Sequence, residues 1–455
     1  MTGHIKRVLF FLISLIAVID SFGQSANDSI KKIDPELLKQ DFTIFRDSLE
    51  RLHPGLYRYK SKNEMDKLFD SCFATLNHSM AIIKYYSVMS YLISAIEDGH
   101  ISCHLPHEYV QPIIATAKMF PTVLRFIYNK GYVACNTKEL PAGTEILSID
   151  HQSINEIRKQ LFHYLPSDGK IQSNKYWEMN NGDSPFPYLY YLVYGEKPDF
   201  KVTYKTKEGQ IKTMTLIAEI VKNIQCLPQQ PNNETYINLD FKQDHIAVLT
   251  IKTFRADLLQ SSNRDFDQFL EKAFKQINGE KVKTLIIDLR DNSGGRDFYG
   301  SKLYSYLTDQ PFKYYASLSS TTRKFTVEDH RNLAIQESNA NNFKSKVYFL
   351  INGNSFSTTA EFCAIAKSNS RGIFIGEETG GGYYGNTSGA RATFILPNTK
   401  ISINIPLTKY VMAVKKAKYK DRGIIPDYTV IPGISDVIRN KDVQLNYAIH
   451  LAGSR

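Results

Sequence analysis

The stretch "VYFLINGNSFSTTAEF", residues 347–362, decides how this chain folds. Its first half is an unbroken apolar run closed by Asn and Gly, the pattern of a short strand buried on both faces. The "CAIAKS" that follows it reads as helix. A buried strand running straight into a helix is the unit from which parallel α/β sheets are built. Thr358 and Glu361 have the S/T-x-x-E spacing of a capping box, which would start the helix at that threonine. Ser357 is then one residue outside the helix, at the positive end of its dipole and close to free backbone N–H groups. Two readings follow: a helix start and nothing more, or a nucleophile whose product is an oxyanion.

The same alternation extends on either side. "HIAVLTIKTF" (245–254), "VKTLIIDLR" (282–290), "KVYFLING" (346–353) and "GIFIGEE" (372–378) read as strands. "NRDFDQFLEKAFKQI" (263–277) and "DFYGSKLYSYL" (297–307) read as helices between them, and 390–412 adds further strands. Upstream, "LPQQPNNET" (227–235) has the polar, Pro- and Asn-rich composition of a linker. Residues 199–220 read as a hairpin around Glu208-Gly209, and 141–161 as strand, turn and helix. The turn-rich, aromatic segment 167–191 reads as an inserted loop, and 122–137 as two short strands. Apolar positions at three- and four-residue spacing make residues 25–108 helical, with Asp34-Pro35 starting the first helix and His53-Pro54 ending it. The expected organisation is a multidomain α/β protein: 1–23 a signal peptide, 24–108 a helical domain, 109–226 a β/α domain with an inserted loop, and 227–455 an α/β core with crossover strands.

Composition narrows the function. The chain has 455 residues, 42% hydrophobic, with a net charge of +10. Its Lys and Arg are spread along the chain, the densest cluster being "KKAKYKDR" (415–422), and no zinc-finger, RNP or helix-turn-helix pattern occurs, so nucleic acid is not an expected partner. Lys6 and Arg7 precede "VLFFLISLIAV" (8–18), an apolar run too short to span a bilayer, and small residues follow. This is the pattern of a secretory signal peptide cut near Gly23–Gln24, and it predicts an exported protein, periplasmic or secreted, with no membrane span after cleavage. The five cysteines, at 72, 103, 135, 226 and 363, are too few and scattered for a disulfide framework. One pair could form, and the sequence does not choose it.

Several residues could serve Ser357. In "EDGH" (97–100) the glycine breaks the preceding helix and puts His100 on a turn, where it could act as a base or be an ordinary surface histidine. The nearby "HISCH" would hold zinc only if helical, and Gly99 argues against that. In "IIDLRDNSGG" (286–295) a strand ends in a turn where Gly294 and Gly295 either turn the chain or aim N–H groups at an oxyanion. "GEETGGGYYGN" (376–386) is a second glycine-rich loop, and "DRGIIPDYTV" (421–430) offers the carboxylates of Asp421 and Asp427.

Taken in order, "VLTIKTF", "LIIDLRDNSGG", "VYFLINGNSFSTTAEF", "GIFIGEETGG" and "RGIIPDY" resemble the C-terminal processing (tail-specific) serine peptidases and their tricorn-core and retinoid-binding relatives. "HPGLYRYKS" and "AIEDGH" extend the resemblance upstream, and 140–157 is similar to part of a PDZ domain. The resemblance implies that Ser357 is the nucleophile, His100 its base, and Gly294, Gly295 and the Thr358 N–H the oxyanion hole. The Ser/Lys branch of the family has its lysine after "G-E-x-T"; here that stretch is "GGGYYGN". A Ser/His mechanism is therefore expected. Where the tricorn-like branch carries a glutamate, this chain has Lys420-Asp421, so Asp421 is the expected third member, with Glu378 behind it. The implied activity is hydrolysis of peptides or unfolded protein through an acyl-enzyme, with no cofactor and no metal. The alternatives are a non-catalytic relative binding apolar ligands and a peptide-binding scaffold.

Overall fold

A computed structural model describes residues 32–228 and 235–453. The expected signal peptide and most of the expected linker lie outside the described residues. The centre is a six-stranded sheet. Ile246–Ile251, Thr284–Asp288, Lys346–Ile351, Ile373–Gly376 and Tyr428–Thr429 run parallel in that order, and Ile237–Lys242 closes one edge antiparallel. The last of these was not legible in the sequence. Side chains alternate across the sheet. Leu249, Ile251, Leu285 and Ile287 meet Leu270, Leu303 and Phe362 of the helices Phe266–Gly279, Asp297–Ser305 and Thr358–Ser368 on one face. Ile246, Val248, Ile286 and Leu350 meet Ala448 of the helix Val443–Gly453 on the other. Each such buried side chain contributes about 1.5–3 kcal/mol, so the strand order is fixed by apolar patterning.

The N-terminal helices Pro35–Leu52, Lys62–Ala74 and Ile82–Ile96 share a core that includes Leu38, Phe42, Phe45 and Leu92. Asp34 caps the first by accepting from the Glu36 N–H (2.9 Å), as the sequence predicts. Their core is completed from far away by Ile401, Ile403 and Ile405. These belong to Ser402–Met412, the middle strand of a second sheet with Thr387–Ile395, Tyr315–Ser319 and Ser102–His104. The expectation that 25–108 is helical throughout is corrected at Ser102–His104, where the open backbone edge of Ser402–Met412 takes it as a strand.

Residues 118–226 carry an antiparallel sheet. Leu124–Ile127, Lys130–Val133, Glu145–Ile149, Asp199–Lys205 and Ile211–Ile217 pair in that order, and Ile154–Leu161 is capped by Ser153 and Glu156. The expected loop 167–191 holds two helices instead, Ser173–Asn181 and Phe186–Tyr194. Burial of Met179, Phe186, Leu189 and Tyr190 against the sheet outweighs the turn-rich composition. Cys135, just after Lys130–Val133, and Cys226, at the C-terminal end of this unit, form a disulfide, and Cys72, Cys103 and Cys363 are buried and free. No helix among the described residues is long and apolar enough to cross a membrane.

Candidate active site

Ser357 stands between the strand Lys346–Ile351 and the helix Thr358–Ser368, at φ 54° and ψ −126°. That backbone is strained for a side-chain-bearing residue and persists only where the surroundings impose it. The imposing contacts come from the turn after Thr284–Asp288. Asn292 is fully buried: its side-chain N–H donates to the Ile251 carbonyl (3.0 Å), and its own carbonyl accepts the Phe356 N–H (3.1 Å). Ser355 Oγ donates to the Leu289 carbonyl (2.9 Å). The Ser357 loop is thus bolted to the ends of two neighbouring strands. The expected capping box does not form. Ser357, not Thr358, is the N-cap; the Thr358 hydroxyl donates to the Gly295 carbonyl (3.0 Å). Glu361 accepts instead from Tyr315 Oη (2.7 Å) and Asn386 Nδ2 (2.8 Å), because buried donors compete for it.

Two N–H groups beside Ser357 carry no acceptor among the described residues, those of Gly295 and Thr358. The Gly294 N–H is spent on Asn292 Oδ1 (2.9 Å), so of the two glycines only Gly295 can donate to an oxyanion. Gly294 has a different role. It sits at φ +98°, and a Cβ there would fall 2.7 Å from Ser357 Cβ and 3.0 Å from the Thr358 nitrogen. Only glycine lets this turn approach the serine.

His100 follows the helix Ile82–Ile96, which is stopped by Glu97 in the left-handed region (φ 64°). Its Nε2 lies 3.1 Å from Ser357 Oγ. Its ring stacks on Phe356 with centroids 4.5 Å apart, so the residue before the serine also holds the imidazole. The histidine is 9% exposed. Burial lowers its pKa to about 4 against the opposing pull of the Asp98 carboxylate, with Arg391, Arg58 and His53 adding to the fall.

The structure does not bring Asp421 to this pair. Its carboxylate lies 3.2 Å from Lys170 Nζ. Glu378 is held by Arg422 (2.7 and 2.6 Å) and the Gly423 N–H. Two other carboxylates approach. Asp98 Oδ1 accepts the His100 backbone N–H (2.8 Å), and its other oxygen lies 3.2 Å from His53 Nε2. Gly55 N–H donates to His53 Nδ1 (3.1 Å), which leaves that ring's proton facing Asp98. Asp168 accepts the N–H groups of Gly99 (2.8 Å) and Gly382 (3.1 Å). Burial raises the Asp98 carboxyl, but hydrogen bonding and charge from His53, then His100, outweigh it and hold it well below the usual carboxylate range. Burial and then the Asp98 charge push Asp168 up. The ionised member of the pair is therefore Asp98. His100 Nδ1 is buried and has no direct hydrogen-bond partner among the described residues.

Residues 245–430 match the profile of peptidase family S41. That span takes in the parallel strands of the central sheet and the Ser357 turn, so it is this part of the chain that is similar to the S41 peptidases. Family S41 is a family of serine peptidases, which are hydrolases. The fold is similar to that of mature CPAF complexed with lactacystin, at 14% identity and a TM-score of 0.62, over 92% of this chain and 98% of that one. It is also similar to a putative peptidase from Parabacteroides merdae, at 14% identity and a TM-score of 0.50, over 93% and 98%. At these identities the likeness is one of fold. No curated protein matches the chain.

Among the described residues, one group could hold a cation. Ligand atoms of Asp98, His100 and Asp168 all lie within 4.8 Å of one another. Backbone N–H groups already occupy these carboxylates, and the other nitrogen of His100 faces Ser357. The donor set thus fits an orienting network for the imidazole better than a metal shell. Sequence reasoning missed Asn292, Asp98 and Asp168. Asp98 stood inside the quoted "EDGH"; Asp168 lay in the segment read as a loop and left no local signal.

Proposed function

We propose that this chain hydrolyses peptide bonds in exported proteins or peptides through an acyl-enzyme on Ser357. The observation that carries the reading is the 3.1 Å approach of His100 Nε2 to Ser357 Oγ, beside two unspent N–H groups. With a pKa near 4 the imidazole is neutral at ordinary pH. It takes the Ser357 proton as Oγ attacks the carbonyl carbon, and later gives it to the leaving amine. The N–H groups of Gly295 and Thr358 hold the oxyanion. Asp98 stabilises the imidazolium that forms in between. Water then attacks the ester by the same route and releases the acid. The antiparallel unit, PDZ-like in sequence, supports capture of an extended peptide by strand addition. The apolar run near the N-terminus and the Cys135–Cys226 disulfide both support an oxidising, exported setting.

The test is covalent labelling of the purified protein by a fluorophosphonate, mapped by mass spectrometry. Labelling is expected at Ser357, absent in Ser357→Ala, and slowed about a hundredfold or more in His100→Ala. A folded wild type that takes no label would return the chain to the non-catalytic readings.

A further inference from the structure

The cleft that opens on Ser357 has a volume of about 740 Å³, and its charged lining is uneven. Three arginines reach it, Arg255, Arg296 and Arg391, against two acids, Asp297 and Glu361. Both acids are turned inward and engaged. Asp297 lies 2.9 Å from His330 Nε2 and 3.2 Å from Tyr315 Oη. Glu361 is 2% exposed and accepts from Tyr315 and Asn386. Of the arginines, Arg255 is neutralised by Asp257. Arg296 and Arg391 are exposed and have no carboxylate partner among the described residues. Arg296 only lies over the Tyr299 ring, 5.7 Å from its centroid.

Their placement brackets the serine. Arg296 follows Gly295 directly, so it stands next to an oxyanion N–H. Arg391 is carried by Thr387–Ile395, which pairs only with Ser402–Met412 among the described residues and leaves its other edge open. Its charge is felt at His100. Two unneutralised guanidinium groups, each able to take a carboxylate in a two-pronged bond, thus face the space a bound peptide must cross.

We propose that this cleft selects acidic peptides, with Arg296 and Arg391 binding a carboxylate close to the scissile bond. This rests on the peptidase reading, and the carboxylate is either an Asp or Glu side chain or the peptide's own C-terminus. The test uses decapeptides of mixed sequence with Glu or Gln at the central position, each with a free or an amidated C-terminus. Cleavage is followed in the wild type, and binding to Ser357→Ala by fluorescence anisotropy. Glu peptides are expected to bind and cleave about fivefold better than Gln peptides if a side chain is read, and free-acid peptides about fivefold better than amides if the terminus is read. Either preference should vanish in Arg296→Gln/Arg391→Gln, and Arg391→Glu should shift it toward Lys peptides. Equal binding of all four peptides, or a preference unchanged in the double variant, overturns the proposal. Binding to Ser357→Ala reads the arginines even if no peptide is cleaved. An acid preference without hydrolysis would therefore sink the peptidase reading and leave this one standing.

Discussion

Replacing Asp98 by Asn isolates the charge that supports the base. The asparagine can still accept the His100 backbone N–H, now 2.8 Å from Asp98 Oδ1, so the turn keeps its anchor. What is lost is a full negative charge within 4.8 Å of a ring nitrogen of His100. Both groups are more than nine-tenths buried, and at an effective dielectric of about 20 such a pair is worth about 3 kcal/mol. That stabilisation applies to the imidazolium, which exists only after the proton has left Ser357. Its loss should slow reaction by on the order of a hundredfold. The assay is the second-order rate of fluorophosphonate labelling from pH 3 to 9. Removing the carboxylate also removes the charge that raises the His100 pKa against burial, so the acid limb, near pH 4 in the wild type, should move lower still while the plateau falls. A variant merely damaged in packing would lose plateau without that downward movement. A plateau within threefold of wild type, in a protein of unchanged thermal stability, would refute the role given to Asp98.

Gly294→Ala should abolish labelling and cost about 1–3 kcal/mol of stability, since it places a Cβ against Ser357 at φ +98°; a labelled, stable variant would count against the fit of that turn. Glu361 titrates near pH 7, raised by burial and by Asp297 against its hydrogen bonds. A carboxyl whose pKa rises on folding gives stability that is full below its unfolded value and lost as pH rises through the folded one. Thermal scans should therefore show the wild type losing stability between about pH 4.5 and 7 relative to Glu361→Gln, whose amide can donate to Tyr315 while that hydroxyl turns to Asp297. Reduction of the Cys135–Cys226 bridge, which closes 91 residues, should destabilise the antiparallel unit by about 2–4 kcal/mol, read as a lower melting temperature with reductant and no change in a Cys135→Ser/Cys226→Ser variant.

The readable parts of this protein were those set by local pattern. The apolar runs at 246–251, 284–288 and 346–351 could only be buried strands; His100 does lie beyond the helix end, but Glu97 in the left-handed region, not Gly99, ends that helix. Ser357 was visible because strand and helix meet there. Partners chosen in space were not visible. Thr358 and Glu361 had capping-box spacing, but the Gly295 carbonyl and the Tyr315 hydroxyl competed for them and won. Asp421 had the right neighbours in sequence, yet Lys170, brought in by the inserted segment, took its carboxylate. Nothing in a linear reading of 167–191 shows that its aromatic residues fold into helices and carry Asp168 to the backbone beside the base.

That carboxylate joins three distant parts of the chain. Asp168 belongs to the antiparallel unit, Gly99 to the helical one, and Gly382 to the loop after the central sheet's Ile373–Gly376. A ribosome must therefore deliver the chain well past residue 380 before base, nucleophile and latch can coexist. An unfolded chain carries the same residues with no shared geometry. Reactivity is in this sense a property of the finished assembly, and a chain still being made holds only separated, inert pieces.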